Sequence, residues 1–210
     1  MTCQHSRVSF AIATCQPTAS SDPRVNGGEM RRMLRVASAA SARLVDRCDK
    51  RKCSHTEVTQ FYTPGFEPVV FDVDGFRFGL AICIEINFSE VFAEYDRLGV
   101  DCLLLSAYPV DSVFATKARA YAAIHNYWVS LSVPAQTTYL FHSGLIGPHG
   151  EVLADVGGES GLVVGTLDRA DPALCGALES ARPWRARARV GDIYEERRVT
   201  DERSRVRTEF

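Results

Sequence analysis

The sequence has no apolar run long enough to cross a membrane, no secretory leader pattern and no excess of positive charge. A membrane-spanning helix needs about 20 consecutive apolar residues, and a secretory signal has a basic segment followed by an apolar one; neither pattern occurs. Lys and Arg number 24 against 26 Asp and Glu, so the net charge is −2. This balance gives no electrostatic reason to expect a nucleic-acid or membrane partner. We therefore predict a cytoplasmic protein that binds neither.

Cysteine is present, but not in the pattern of a disulfide framework. The seven cysteines are odd in number and scattered along the chain, unlike those of small secreted domains. Cys102 lies in an apolar run and is expected to be a small buried hydrophobe. Cys48 and Cys53, with His55 nearby, allow a metal site as an alternative, but no second ligand pair accompanies them. The sequence therefore implies neither a metal nor an organic cofactor.

The patterning of apolar and polar residues predicts one mixed α/β domain. At 210 residues, 46% of them apolar, the chain can form one substantial core without a second domain. We expect a single domain over residues 1–180 and an extended arm over 181–210, anchored by Trp184 and Tyr194. The dipeptide Asp74-Gly75 signals a hairpin. Strands are predicted at 8–14, 68–73, 76–82, 100–106, 128–133 and 162–168, a second hairpin at 143–153, and helices at 28–42, 89–98 and 114–127.

Residues 79–90 form the most informative part of the sequence. An apolar strand over 76–82 ends at Cys83, and polar and acidic residues follow. Ser89 then signals the start of a helix and Gly99 its end. An α/β enzyme places a thiol nucleophile at such a point, because a helix N-terminus stabilises the thiolate. From this context alone, a nucleophile and a buried inert thiol are about equally good interpretations of Cys83.

This cysteine turn resembles the motif of the carbon–nitrogen hydrolase (nitrilase) superfamily, which runs Gly, a few apolar residues, Cys, an aromatic or apolar residue, an acid and then Phe-Pro-Glu. The matching residues are Gly79, Cys83, Glu85, Phe88 and Glu90, with Ser89 where Pro is usual. The resemblance extends in patches over nearly the whole chain. It implies an α/β (α+β) fold, a four-layer α-β-β-α sandwich, and hydrolysis of non-peptide C–N bonds in small amide, carbamoyl or nitrile substrates.

The resemblance also implies the catalytic residues. Attack on an amide or nitrile carbon needs a thiolate, a base and a cation near the developing negative charge, which the superfamily supplies as Cys, Glu and Lys, often with a second Glu. Cys83 matches the nucleophile, Lys50 the cation and Glu57 the second Glu. Lys52 is the alternative if the register slips by two residues. Lys50 as part of a solvated basic cluster, and Glu57 as an exposed loop carboxylate, are the structural alternatives.

The first Glu of the superfamily has no counterpart here. In the superfamily, the strand that begins near 42–45 continues to this general base. Here the strand is followed at once by a stretch that resembles a much later part of the family sequence. The resemblance therefore implies an internal deletion near 45–46. Asp49 falls at the spacing of the missing Glu, yet it adjoins Lys50. Neighbouring residues of an extended strand point to opposite faces, so we expect that the two do not line one pocket. Losing a general base costs about two to four orders of magnitude in rate.

Three other ionisable residues are expected to have structural roles. Glu85 and Glu90 belong to the cysteine motif and should hold the turn and the helix rather than exchange protons. His125 is expected on a helix surface or at an interface.

Two functions follow as hypotheses. The first is a thiol-dependent hydrolase that acts through a thioester or thioimidate on Cys83, and the second is a catalytically inactive family fragment that retains a binding or dimerising surface. Because the deletion would leave the sandwich incomplete, sheet edges should be unpaired and oligomerisation altered. The superfamily's dimer interface corresponds to the helices at 88–98 and 114–127, which implies a homodimer.

Overall fold

A six-stranded mixed sheet organises the described part of the chain, which comprises residues 9–20, 22–37 and 48–199 of a computed structural model. Its strand order is β2-β3-β4-β5-β6-β7, and a separate two-stranded sheet pairs β1 with β8. The central strands β3, β4 and β5 are parallel, and the other pairs are antiparallel. The strands are β1 Ser9–Gln16, β2 Val70–Val73, β3 Phe76–Ile82, β4 Cys102–Ser106, β5 Trp128–Ser132, β6 Gly144–Ile146, β7 Val152–Asp155 and β8 Gly161–Asp168.

Within the described ranges, five α-helices and several short helical turns connect these strands. The α-helices are α1 Pro23–Ala37, α2 Ser89–Arg97, α3 Val113–His125, α4 Arg182–Val190 and α5 Asp192–Glu195. The 3₁₀ turns are Cys83–Asn87, Ala135–Thr137 and Pro172–Leu174, and the π-helical turns are Glu57–Phe61 and Gly176–Ala181. No helix in the described ranges is both long enough and apolar enough to cross a bilayer.

Helices α2 and α3 cover one face of the six-stranded sheet. Phe114, Ala118 and Ala122 recur every four residues along α3, so they lie on one side of the helix and are buried. Phe92 of α2 stacks on Tyr121 of α3 with ring centroids 3.9 Å apart. Together with strand residues such as Leu103 and Val129, these side chains form the larger of two apolar cores.

The two-stranded sheet covers the opposite face and forms the second core. The residues of this core are Ile12, Phe76, Phe78, Cys102, Trp128, Leu145, Leu167 and Leu174. Helix α1 lies outside β8. Its residues Glu29 and Arg32 form hydrogen bonds with Ser160, the residue just before that strand. The layers therefore follow the predicted order of helices, sheet, sheet and helix, and the outer sheet has two strands in the described residues.

Turn chemistry places the predicted hairpins and helix ends correctly. Asp74 and Gly75 adopt positive φ angles of 48° and 80° between β2 and β3, as a tight hairpin turn requires. Gly99 ends α2 with φ of 75° and donates its N–H to Asp96 O at 3.0 Å. Ser89, by contrast, is the first helical residue rather than the cap, because Phe88 occupies the N-cap position with no side-chain hydrogen bond.

The segment predicted as an extended arm is helical over Arg182–Val190. Its Ala- and Arg-rich sequence suits a helix. The expected anchors are also wrong, since Trp184 is 55% and Tyr194 47% exposed.

Three arginines of α4 make its polar contacts with the domain. Arg182 donates to Val100 O at 2.5 Å, just after α2, and Arg185 donates to Ile124 O at 2.7 Å, at the end of α3. Arg189 pairs with the buried carboxylate of Asp96. The arginines of α4 thus lie near the carbonyl ends of α2 and α3, where cations interact favourably with the helix dipoles. These contacts hold α4 to the domain although none of its own residues is buried.

Asp96 also binds His125, which corrects the expectation that this histidine lies on a helix surface or at an interface. His125 is 6% exposed, and its Nδ1 donates to Asp96 Oδ2 at 2.9 Å. Burial alone raises the pKa of Asp96, but the hydrogen bonds from His125 and Arg189 outweigh burial and hold the pKa below its ordinary value. The predicted deletion junction at 45–46, the end of the first predicted helix beyond residue 37 and the start of the predicted strand at 42–45 lie outside the described residues.

Candidate active site

A cavity of about 790 Å³ opens at the carboxyl ends of the parallel strands. Cys83 follows β3, Ser106 ends β4 and Ser132 ends β5, and all three line the cavity. Open α/β sheets bind ligands at this edge, where loops after parallel strands meet. The volume lies within the usual range for a small-molecule site.

Cys83 is presented on a strained backbone at the wall of this cavity. Its φ of 54° lies in the left-handed region, which costs a non-glycine residue about 1–2 kcal/mol. Strain of this kind occurs at functional sites, where the surrounding structure holds it. The side chain is half-buried, and its thiol donates to Tyr108 O at 3.7 Å. The sulfur is therefore open to the cavity and not sealed in the apolar core.

Lys50 and Glu57 line the same cavity as Cys83 and form a close ion pair. Lys50 Nζ donates to both carboxylate oxygens of Glu57, at 2.6 and 2.7 Å. Ser54 N donates to Glu57 Oε2 at 2.7 Å. The hydrogen bond from Lys50, followed by that from Ser54, lowers the pKa of Glu57 below its ordinary value. The pair fixes the lysine ammonium at the cavity wall, and the structure thus brings all three predicted residues together.

Glu85 ties the loop that carries Lys50 to the turn that carries Cys83. This carboxylate is 1% exposed and accepts hydrogen bonds from Arg51 N at 2.7 Å, Lys52 N at 3.1 Å and Ile82 N at 2.7 Å. Its role in holding the turn was predicted, and the structure extends it, because the same carboxylate positions the residue next to Lys50. Charge-assisted bonds of this kind are stronger than neutral ones.

Arg51 makes a second link between the lysine loop and α2. Its guanidinium donates to Glu94 Oε2 at 2.5 Å and lies 5.4 Å from the ring centroid of Tyr95. Gly79 of β3 packs closely against the same ring, because a Cβ built at Gly79 would lie 2.6 Å from Tyr95 Cδ1. The glycine of the cysteine motif is therefore required for close packing of strand and helix.

Asp49 also lines the cavity, so the expectation that it and Lys50 could not share a pocket is wrong. That expectation assumed an extended strand, whereas residues 48–53 form an irregular loop. Gly65 folds against this loop, and its N–H donates to Lys50 O at 2.9 Å. Asp49 therefore joins Lys50 and Glu57 among the residues that line the cavity.

The alternative candidates lie elsewhere. Lys52 is exposed and points to the ring of Phe88, with Nζ 5.7 Å from the centroid, so the cavity contains Lys50 and not Lys52. Glu90 is exposed on α2. Among the described residues, no group of three or more His, Cys, Asp and Glu side chains could hold a metal ion, so the grouping of Cys48 and Cys53 with His55 gains no support as a metal site.

Sequence reasoning missed Tyr108, Cys48 and Cys53 as cavity residues. Tyr108 could have been found, because it follows the predicted strand at 100–106, and residues after parallel strands meet at one sheet edge. Cys48 and Cys53 carried no such signal, since their positions depend on how an irregular loop folds back on β3. Cys48 Sγ lies 4.0 Å from Leu80 O of that strand.

A family model described as "Carbon-nitrogen hydrolase" matches residues 30–175, well over half of the sequence. This chain belongs to the carbon–nitrogen hydrolase family. The match includes the cysteine turn and the loop that carries Lys50. The predicted family and its fold are thus confirmed.

Relatives of this chain include amidases. It is 30% identical over 145 residues to "Omega-amidase, chloroplastic" of Arabidopsis thaliana, which covers 63% of this chain and 37% of that protein. Two structures of an amidase from Nesterenkonia sp. AN1 share its fold with a TM-score of 0.51. One, in complex with butyramide, is 19% identical and covers 58% of this chain and 49% of that one. The other, with an acetamide moiety on its active-site cysteine, is 22% identical and covers 64% and 54%.

This chain is short compared with these relatives. It spans about two fifths of the curated omega-amidase and about half of the amidase of known structure. Membership of the family and the fold follow from the comparisons, whereas the reaction of this chain has to be argued from its own site.

Proposed function

We propose that this protein hydrolyses a non-peptide C–N bond in a small amide, carbamoyl or nitrile substrate, with Cys83 as the nucleophile. The thiolate of Cys83 attacks the substrate carbon and forms a tetrahedral intermediate. Collapse of that intermediate forms a thioester on sulfur and expels the amine, which takes up the proton that the Cys83 thiol lost when it became a thiolate. Water then attacks the thioester, releases the carboxylic acid and restores the thiol. A nitrile would pass through a thioimidate instead.

Lys50 and Glu57 would support the two tetrahedral intermediates of this reaction, in which the substrate oxygen carries negative charge. The ammonium of Lys50 lies at the cavity wall, where it would offset the negative charge that develops on the substrate oxygen. Glu57 holds that ammonium through two short hydrogen bonds, so it would fix its position rather than accept the first proton. The observation that carries the proposal is the convergence of a strained, accessible cysteine and a fixed lysine on one cavity at the carboxyl edge of the sheet.

A catalytically inactive fragment is the second candidate, and the absence of a counterpart to the first family Glu favours it. Without that base, water attack on the thioester should be slowed by about two to four orders of magnitude. Such a protein would retain the cavity as a binding site. Cysteine labelling without amide turnover would be its signature.

Rates of cysteine alkylation and of ammonia release from butyramide distinguish these candidates. We expect iodoacetamide to modify Cys83 much faster than Cys102, since Cys102 is fully buried and burial raises the pKa of its thiol. Cys83→Ala should abolish ammonia release. Lys50→Met should reduce turnover by about two to three orders of magnitude, by analogy with removal of one oxyanion donor.

The matched control is Lys52→Met, which removes the same charge two residues away and outside the cavity. It should leave both rates unchanged. Labelling of Cys83 no faster than of Cys102 would exclude an activated nucleophile. Fast labelling without ammonia release would favour the inactive fragment.

The assembly and location of the protein are further parts of this proposal. A homodimer through α2 and α3 and a cytoplasmic location stay predictions, and one relative carries the description chloroplastic. Sedimentation that gives a monomer at micromolar concentration would contradict the dimer.

A further inference from the structure

Cys83 lies where two chambers meet. It is on the wall of the cavity of about 790 Å³ and also on the wall of a smaller chamber of about 340 Å³. Lys50, Glu57 and Tyr108 line both chambers as well. The smaller volume is itself large enough for part of a small-molecule ligand. A substrate held at the sulfur therefore has space on two sides.

The two chambers extend over different parts of the fold. The large cavity extends over the ends of β4 and β5, where Ser106 and Ser132 lie. The smaller chamber extends over the 3₁₀ turn Cys83–Asn87 and the start of α3, where Phe114 lies. The carbonyl carbon of an amide carries an acyl chain on one side and nitrogen on the other. With that carbon at Cys83, each chamber can receive one of the two sides.

Polar side chains of the smaller chamber are bonded within its own wall. Lys117 Nζ donates to Asn87 Oδ1 at 2.6 Å and lies 5.7 Å from the ring centroid of Phe114. Asp111 Oδ1 accepts the N–H of Val113 at 2.9 Å. These contacts give the wall a defined shape. They also engage both a cation and an anion of the wall, so the charges there favour neither sign of ligand.

Apolar side chains and an opening to solvent complete the smaller chamber. Ile84 and Phe114 lie on its wall, and Val110 lies there while 80% exposed. An alkyl group that covers these side chains is removed from water, which favours binding. Because Val110 and Asn87 are exposed at this chamber, a leaving group can reach solvent from it while the acyl group stays in the large cavity.

We propose that the smaller chamber is the subsite for a substituent on the amide nitrogen, so that the protein takes N-alkyl amides with the acyl chain in the large cavity. The inference rests on the proposed function for the bond that reacts. In that reaction the C–S bond forms, the C–N bond breaks, and the nitrogen takes up the proton that the thiol of Cys83 lost. An alkylamine then leaves in place of ammonia. Val110 sets how large the substituent can be.

Calorimetric titration of the Cys83→Ala variant tests the subsite, because this variant holds ligands without reacting. The probes are butyramide, N-butylbutyramide and octanamide. The last two are isomers, so they differ only in which side of the amide carries the added carbon atoms. We expect N-butylbutyramide to bind about tenfold more tightly than butyramide, as partial burial of the added butyl group gives. Octanamide is the control for apolarity alone.

A bulky residue in each chamber locates the two chains. In the Cys83→Ala background, Val110→Trp in the smaller chamber should remove the gain in affinity of N-butylbutyramide and leave octanamide unchanged. Thr63→Trp in the large cavity is the matched control and should weaken octanamide while the gain persists. Both positions are exposed, so the denaturation midpoints should match that of Cys83→Ala.

Three results would overturn the inference. The first is the absence of any gain for N-butylbutyramide over butyramide, which includes failure of all three probes to bind. The second is a gain that survives Val110→Trp. The third is a gain that disappears in Thr63→Trp, because the butyl group would then lie in the large cavity.

Release of ammonia from butyramide and of butylamine from N-butylbutyramide by the wild-type protein separates this inference from the proposed reaction. If neither amide is hydrolysed and the gain that depends on Val110 persists, the reaction fails and the subsite stands. If butyramide is hydrolysed while N-butylbutyramide neither binds nor reacts, the reaction stands and the subsite fails.

Discussion

At the scale of single residues, the position of the cysteine turn depends on close packing between Gly79 of β3 and Tyr95 of α2. Gly79 approaches the ring of Tyr95 so closely that any side chain would collide with it, and the hydroxyl of Tyr95 donates to the carbonyl of Leu80 on the same strand. This contact lies four residues before Cys83. The spacing between strand and helix thereby fixes where the cysteine turn begins.

Gly79→Ala tests that contact. The added methyl group would lie 2.6 Å from Tyr95 Cδ1, so we expect a loss of about 1–3 kcal/mol in the free energy of unfolding, as overpacking of a core generally gives. Chemical denaturation measures it. Gly158→Ala is the matched control, because a Cβ there meets nothing within 4 Å; if both variants lose equal stability, the packing argument is wrong.

The pH dependence of the Lys50–Glu57 pair is a second prediction at this scale. The pKa of Glu57 is lowered in the folded protein, so the pair contributes stability that is complete above the ordinary Glu pKa and is lost as pH falls through the lowered folded value. Glu57→Gln should therefore destabilise the protein at pH 7, and the difference from the wild type should vanish in acid. Denaturation midpoints between pH 7 and pH 2 measure this, and a difference that is constant with pH would contradict it.

Residue-level prediction succeeded where the family motif fixed the register, as at Cys83 and Lys50, and failed at Asp49, whose position depends on how a loop folds. Cys83 follows a strand in an ordered motif, so its place at the sheet edge could be read from the pattern. Asp49 could not be placed, because its orientation depends on a turn that Gly65 and Glu85 stabilise from distant parts of the sequence. Such long-range contacts leave no periodic signal.

At the scale of elements, the docking of α4 shows a helix held by charge rather than by apolar burial. Arg182, Arg185 and Arg189 reach the ends of α2 and α3 and the carboxylate of Asp96. The sequence marked Trp184 as the anchor because buried aromatic rings usually contribute most. The true partners include backbone carbonyls, the side chain of Asn126 and the buried acid Asp96, whose positions follow from how α2 and α3 pack.

Asp96→Ala tests this docking. Removing one partner of a buried, hydrogen-bonded ion pair leaves the other unpaired, and we expect a loss of about 3 kcal/mol in the free energy of unfolding. The helix α4 should also become more accessible to protease. Asp72→Asn, which removes an exposed pair with Arg77, should have little effect. If Asp96→Ala left protease sensitivity of α4 unchanged, the arginine contacts would not hold the helix.

The pH dependence of α4 docking follows from the same acid. Since the folded pKa of Asp96 lies below its ordinary value, the contribution of Asp96 to the docking of α4 is complete above that ordinary value and is lost as pH falls through the folded pKa.

Hairpins and strands, in contrast to α4, were predicted well, because Asp74-Gly75 and the apolar runs are local signals that do not depend on distant partners.

At the scale of the whole molecule, one sheet carries two cores. Leu103 and Cys102 are neighbours on β4, yet they belong to the cores on opposite faces. Because the same strands serve both, damage to one core should weaken the other. The protein should therefore unfold as a single unit.

Trp128 reports on this cooperativity. It is 1% exposed in the core beneath the two-stranded sheet, and Trp184 is the other tryptophan of the chain. In a Trp184→Phe background, Leu103→Ala in the opposite core should lower the free energy of unfolding by about 2–5 kcal/mol. The fluorescence of Trp128 and the far-ultraviolet circular dichroism should then report the same lower denaturant midpoint. Separate midpoints would mean that the two faces unfold independently.

The left-handed backbone of Cys83 has a consequence for the origin of inactive relatives. Glycine adopts that conformation without penalty, whereas cysteine is forced into it, so a drift from cysteine to glycine would relax the turn while it discards the sulfur. A lineage released from selection for chemistry should follow that route readily. Cys83 therefore occupies a position where the backbone conformation alone would favour glycine.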